Sequence, residues 1–215
     1  MIASLPMFPL ELVAFPTEKL ALHIFEHRYQ QLLADCEEND MTFGIPTYLG
    51  KNLKFGTEMQ LVKVVNRNAD GSSDILCKGM RVFELIDFQN TVEDRLYAGG
   101  KVRFLSNELK GSESKNRALR SSIKKFYNAL GVGIPIKIDD DFSSYTLAHK
   151  AGLTLDQEYE LLQITTEDER VDFLISHLKV MITTLSAVDR TKELIALNGH
   201  FKYFDPLDFK DLNVK

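Results

Sequence analysis

The segment His23-Ile24-Phe25-Glu26-His27 spells H-x-x-E-H, the pattern of inverted zinc peptidases. In that chemistry two imidazoles four residues apart converge on a metal from one helical face, with the glutamate as base. The neighbouring residues argue against it. Leu20-Ala21-Leu22-His23-Ile24 reads as a strand and helical spacing begins only near Glu26, so the two imidazoles should diverge. His149 and His177 stand isolated, and no serine or cysteine is matched to either by spacing, so nothing points to a nucleophilic triad. Asp139-Asp140-Asp141 lacks the spacing of a calcium loop. Cys36 and Cys77 form no C-x-x-C pair, and two buried thiols in a reducing compartment are expected. The sequence therefore predicts no catalytic residue, no metal ligand and no cofactor.

Charge narrows the partners. Lys115, Arg117, Arg120, Lys124 and Lys125 give one stretch a basic side that could meet phosphate. The net charge of -5 argues against general affinity for nucleic acid or anionic lipid. The first residues lack the basic region and apolar core of a signal peptide, and no uninterrupted apolar run approaches the roughly 20 residues of a span. A cytoplasmic location is expected. A hydrophobic share of 44% beside 27% charged residues fits a globular chain rather than a disordered one.

The elements that must position these residues fall into two halves. Pro6, Pro9 and Pro16 break the apolar opening, because proline lacks an amide proton, into short extended pieces around Met7, around Val13 and over 20–24. Tyr29, Leu32, Leu33 and Cys36 make one face of a helix over about 26–38, with Glu26 at its positive end and Asn39-Asp40 as its stop. Strands are predicted over 42–49, 57–66, 75–78, 81–88 and 96–105. Gly79 divides the middle pair, Asn68–Ser72 supplies a turn, and Gly99-Gly100 suggests a bulge or bend. Such a run implies a sandwich or a small closed barrel. After the polar stretch 105–114, Leu119, Ile123, Phe126, Tyr127 and Leu130 form a helical stripe ended by Gly131. Ser143 or Ser144 can cap a short helix, and Thr154–Gln157 and Thr166–Glu169 match capping boxes. The second opens a long helix predicted to reach Leu197 and stop at Asn198-Gly199, with an aromatic tail (Phe201, Tyr203, Phe204, Phe209) folding back.

The opening Leu5-Pro6-Met7-Phe8-Pro9-Leu10 through Pro16, continued by 20–29, closely resembles the start of the Lon protease N-terminal, substrate-binding domain. Phe55-Gly56-Thr57, the Gly79–Phe83 segment with Arg81, and Leu96–Gly100 agree with it. The back half, including Asn198-Gly199-His200-Phe201-Lys202, is similar to stand-alone bacterial Lon-domain proteins. Thr17 stands where the family commonly has glycine. The resemblance also accounts for the H-x-x-E-H letters without metal. It implies an α+β fold: a PUA-like β-barrel with one inserted helix over 1–106, then a C-terminal helical bundle over 112–215 ending in a long helix.

It further implies a non-catalytic polypeptide-recognition module. No G-x-x-x-x-G-K-[ST] loop is present, so the ATPase module is not expected, and the 215 residues end before a serine–lysine protease domain, which is not expected either. The expected partners are unfolded or tagged polypeptides, with a protease as a further candidate; membrane is not expected and nucleic acid is disfavoured. Two alternatives stand beside it: an adaptor or structural protein for one folded partner such as a protease, and an RNA-binding PUA-like module. The candidate binding residues are Phe8, Leu10, Phe15, Glu26, Arg28, Tyr29, Asn198, His200 and Phe201. Glu26, Arg28 and Tyr29 have a structural reading too: Arg28 paired to a carboxylate, with Tyr29 buried beneath the helix.

Overall fold

The prolines of the opening leave one strand, β1 (Ile2–Met7), before an irregular stretch that carries Val13. The computed structural model describes residues 2–50, 53–133 and 142–201, with side chains through Lys192 in the last of these. β2 (Lys19–Ile24) follows, then helix α1 (His27–Asn39), whose buried face is Tyr29, Leu32, Leu33 and Cys36. Asp40 closes α1 in the left-handed conformation. β3 (Phe43–Pro46), β4 (Phe55–Arg67), β5 (Ser73–Gln89) and β6 (Ala98–Phe104) complete a six-stranded sheet ordered β2-β5-β4-β3-β1-β6. β5 pairs with β4 along one part and with β6 along another, so five of the strands close into a ring with β2 added at one side.

β5 is one strand of 17 residues, and Gly79 does not divide it. A Cβ at Gly79 would lie 2.0 Å from the Phe15 carbonyl oxygen. The glycine exists so that the opening loop can cross there: Gly79 N–H donates to Glu18 O, and Thr17 N–H donates to Gly79 O. β6 runs regularly through Gly99-Gly100, and the irregularity lies opposite, between Leu85 and Asp87 of β5. A Cβ on Gly100 would press on Leu85 and Met7. Thr17 holds φ +69°, the left-handed region that penalises a side chain. That is the physical sense of a glycine at this turn.

α2 (Glu113–Leu130) ends on Gly131 at φ +70°, as its stripe predicts. α3 (Ser144–Leu147) runs into a 3-10 turn, Ala148–Lys150. α4 (Leu155–Gln163) opens on a reciprocal capping box between Thr154 and Gln157. α5 (Glu167–Phe201) passes through Asn198-Gly199, so the predicted stop is corrected; the tail beyond Phe201 lies outside the described residues, as does Asp139–Asp141. By length and composition α5 can also cross a membrane, with mean hydropathy 1.4 in its most apolar 18-residue window. Counting only unbroken apolar runs missed this, because spaced charges interrupt a helix that is apolar on average. Its first turns are core: Val171, Leu174 and Leu178 are fully buried.

Three clusters fill the interior. One lies between α1 and the strands, around Leu32, Ile45, Met59 and Cys77. A second lies about Met7, Phe83 and Val102. The third joins the helices to the strand part: Leu119, Ile123, Leu161 and Leu174 pack with Val13, Phe15 and Val82. Each fully buried side chain of this size contributes about 1.5–3 kcal/mol.

A charged pair sits among the helices. Arg170 and Glu167 are 0% and 1% exposed and lie 2.9 Å apart. Glu167 accepts from Ser144 N–H at 2.6 Å and from Ser144 Oγ at 2.7 Å; Arg170 donates to the carbonyls of Ile164 and Glu108. Arg170→Ala should lower unfolding free energy by about 3–5 kcal/mol, because it strands Glu167 uncompensated in the interior. Urea denaturation checks this, and a loss below about 1 kcal/mol would show the pair to be dispensable. Thr17→Gly should instead raise stability by about 0.5–1 kcal/mol, the left-handed strain relieved exceeding the entropy that glycine adds to the unfolded chain.

Candidate functional site

Phe8 and Tyr29 are brought together, their rings stacked with centroids 3.8 Å apart, and both are buried. Leu10 is half-buried beside the same cluster. Phe15 belongs to the other core, stacked on Tyr145 at 5.1 Å and wholly enclosed. Glu26 and Arg28 are exposed and bonded to each other at 2.9 Å, and the Arg28 guanidinium covers the Tyr29 ring at 4.6 Å. The backbone at Asn198, His200 and Phe201 is helical; their side chains lie outside the described residues. The structure thus gathers Phe8, Leu10 and Tyr29 at one place and sends Phe15 to another.

The letters H-x-x-E-H have separate partners. His23 bonds Asp74 at 2.7 Å, His27 bonds Gln30 at 3.1 Å, and Glu26 serves Arg28. Among the described residues no group of three or more His, Cys, Asp or Glu side chains is arranged to hold a metal. Burial pushes the Cys36 and Cys77 thiols up to about 12, which leaves little thiolate near neutral pH. On the basic side of α2, Lys115 bonds Asp172 at 2.6 Å and Arg117 faces Glu113 at 3.7 Å, so part of that charge is neutralised.

Among the described residues, two concave regions of about 320 Å³ or more adjoin the opening segment. The first is a mostly apolar cleft of about 320 Å³ between β1, β6 and the β5–β6 loop, lined by Leu5, Pro6, Met41, Val92, Tyr97 and Gly99, with Ser4, Asp87, Gln89 and Lys101 as its polar groups. Its loop wall is held by α1. Tyr97 Oη donates to Asp35 at 2.5 Å, Arg95 pairs with the same carboxylate at 2.8 Å, and Leu96 N–H donates to Gln31 at 2.7 Å. Burial first, then the Asp35 carboxylate, pushes the Tyr97 hydroxyl up to about 12, so it stays a donor. Gly99 lets Val92 close the wall, since a Cβ there would lie 2.5 Å from Val92 Cγ2. Leu96, in the same loop, is 57% exposed. Sequence reasoning missed Val92 and Met41, which only long-range contacts bring to the cleft; the Leu96–Gly100 segment was the one available signal.

The second region is a groove where the opening loop meets the helices. One part, about 340 Å³, is lined by Thr17, Glu18, Lys19, Thr146, His149 and Lys150; another, about 470 Å³, continues past Thr17 and Thr146 to Leu109 and Phe142. His149 clamps the groove. Its Nδ1 lies 2.7 Å from Glu158 and its Nε2 3.2 Å from Glu18. Glu158 first, then Glu18, push the imidazole up to about 10. Only the imidazolium can donate from both nitrogens.

The family model described as the ATP-dependent protease La (LON) substrate-binding domain matches residues 4–185. The Lon N-terminal domain protein from Xanthomonas campestris is similar in structure, with TM-score 0.61 and 24% identity over 81% of this chain and 98% of that one. The N-terminal domain of Mycobacterium avium complex Lon protease is similar with TM-score 0.59 and 16% identity, over 82% of this chain and 98% of that one. At these identities the likeness is one of fold. No curated protein sequence matches.

The His149 clamp predicts a pH dependence. A pKa raised on folding contributes stability in full below the unfolded value of about 6.5, and that stability drains away as pH rises through about 10. Between pH 7 and 10 the parent chain should therefore lose stability relative to His149→Gln in parallel urea titrations. Parallel curves across that range would contradict the clamp.

Proposed function

Because this chain belongs to the family of ATP-dependent protease La (LON) substrate-binding domains, we propose that it recognises polypeptides and leaves chemistry on them to other molecules. The carrying observation is the extent of the match: residues 4–185 take in β1 from Ser4, the other five strands whole, both of these concave regions and the packed part of α5. On this reading the closed ring of strands is a PUA-like barrel occupying 1–106, and the helices from 112 onward are a bundle docked on it through Phe15 and Val82. The protein works in the cytoplasm on unfolded or tagged segments.

The cleft lined by Leu5, Pro6, Met41 and Val92 is the place we assign to apolar side chains of such a segment. Concave, mostly apolar surface with few polar groups gives affinity by removing apolar area from water. Leu10, Glu26 and Arg28 are retained as neighbouring contacts, with Asn198, His200 and Phe201 as contacts from the end of α5. Phe8, Phe15 and Tyr29 contribute from beneath, by holding the surface in shape.

A second reading has one observation in its favour. Beyond Leu178, α5 leaves Val180 and Val188 exposed at 65% and 47%. A bare apolar helix of this kind suits a single folded partner such as a protease, docked by an apolar helical face.

Fluorescence anisotropy of a reduced, carbamidomethylated unfolded protein, titrated with the pure chain, tests the main reading. Binding at micromolar levels is expected, and Val92→Asp should weaken it about tenfold by placing a charge in the apolar cleft. Absence of binding to any unfolded chain, together with recovery of one folded partner, would give the second reading precedence.

A further inference from the structure

β2 is an unfinished edge. Among the described residues it pairs only with β5, in an unbroken register from Lys19 opposite Lys78 to Ile24 opposite Ser73. Gly79 N–H donates to Glu18 O, which fixes the alternation of the ladder. The N–H and C=O groups of Leu20, Leu22 and Ile24 turn toward β5, and those of Lys19, Ala21 and His23 turn outward. No backbone bond to these outward groups exists among the described residues.

The exposed face beside that edge is short of negative charge. Lys19 and Lys78 stand directly opposite each other in the closely spaced type of pair, where like charges repel. Lys63 lies on the same face, opposite Leu76. None of the three lysines has an ion pair or side-chain hydrogen bond among the described residues. The nearby acids are committed: Asp74 to His23, and Glu18 to His149 and the Phe15 amide. Next to the lysines, exposed Ala21 and half-buried Leu76 leave a shallow apolar strip, and Phe25 stands at its far end, 64% exposed.

We propose that an extended polypeptide segment adds to the open edge of β2, with an acidic side chain opposite Lys19 and apolar side chains at alternate positions beyond it, over Ala21 and beside His23. This deepens the polypeptide-recognition reading and rests on it. Backbone bonds to residues 19, 21 and 23 hold any sequence, and the carboxylate against Lys19 and Lys78 supplies the preference. A second copy of this chain suits the edge poorly. β2 itself, Lys-Leu-Ala-Leu-His-Ile, contains no acid, and pairing with itself about Ala21 would set Lys19 against His23.

Fluorescein-labelled ten-residue peptides of alternating threonine and valine supply the probe. One carries a central glutamate, one a glutamine in its place, and one the glutamate with alternate amides N-methylated. The glutamate peptide should bind about three- to fivefold more tightly than the glutamine peptide at low salt, a gap that Lys19→Ala with Lys78→Ala abolishes. The N-methylated peptide should lose at least tenfold. Ala21→Pro should do the same to the unmodified peptide while leaving the fold intact, since it deletes an amide that β5 does not use. Equal binding of all three peptides would overturn the proposal and leave the broader reading standing. Loss of all peptide and unfolded-protein binding would sink both. A concentration-dependent dimer abolished by Ala21→Pro would assign the edge to a second copy and overturn the proposal.

Discussion

Glu167 and Arg170 sit where water cannot reach, and the helical part is organised around satisfying them. Two charges taken from water cost several kcal/mol each unless hydrogen bonds replace the lost hydration. Here Ser144 supplies an amide and a hydroxyl to the carboxylate, and the carbonyls of Glu108 and Ile164 accept from the guanidinium. Those four groups belong to the link after β6, the start of α3 and the end of α4. Glu167 also lies in the first turn of α5, where the helix dipole favours an acid. One pair thereby fixes three chain segments against the longest helix.

The constraint passes outward by contact. Arg170 lies over the Tyr145 ring at 4.3 Å, and Tyr145 stacks on Phe15. The Phe15 amide donates to Glu18, which also grips His149, and the next residue opens β2. The helical core therefore ends at the surface on a strand edge that has no second partner among the described residues. An open edge is a hazard for aggregation, and lysines along it are the usual defence. The same lysines make it selective, because they repel copies of a strand that has no acid and welcome a segment that has one.

How much of this the sequence disclosed depends on the range of the interaction. Local chemistry was readable. The stripe Tyr29-Leu32-Leu33-Cys36 faces the core, Thr154 and Gln157 cap one another, and Gly131 ends α2 in the left-handed region. Choices made at long range were hidden. Gly79 reads as a break in a strand until Phe15 O is seen lying across it. Phe8 and Phe15, two apolar residues in a proline-rich opening, give no sign that each fills a different core. Asn198-Gly199 has the composition of a stop, yet one glycine costs a helix only about 1 kcal/mol and α5 continues past it. The cleft residues Met41 and Val92 lie far from one another in sequence, and no local pattern marks them.

Recognition on the strand surface, held in place by the buried pair, is open to direct measurement. Amide hydrogen exchange of the whole chain, with and without a saturating unfolded polypeptide, tests it most directly. Slowed exchange is expected at Lys19, Ala21 and His23 and along the loop that carries Val92, with the amides around Arg170 unchanged. Slowing confined to α5, with the edge of β2 and the cleft untouched, would contradict it.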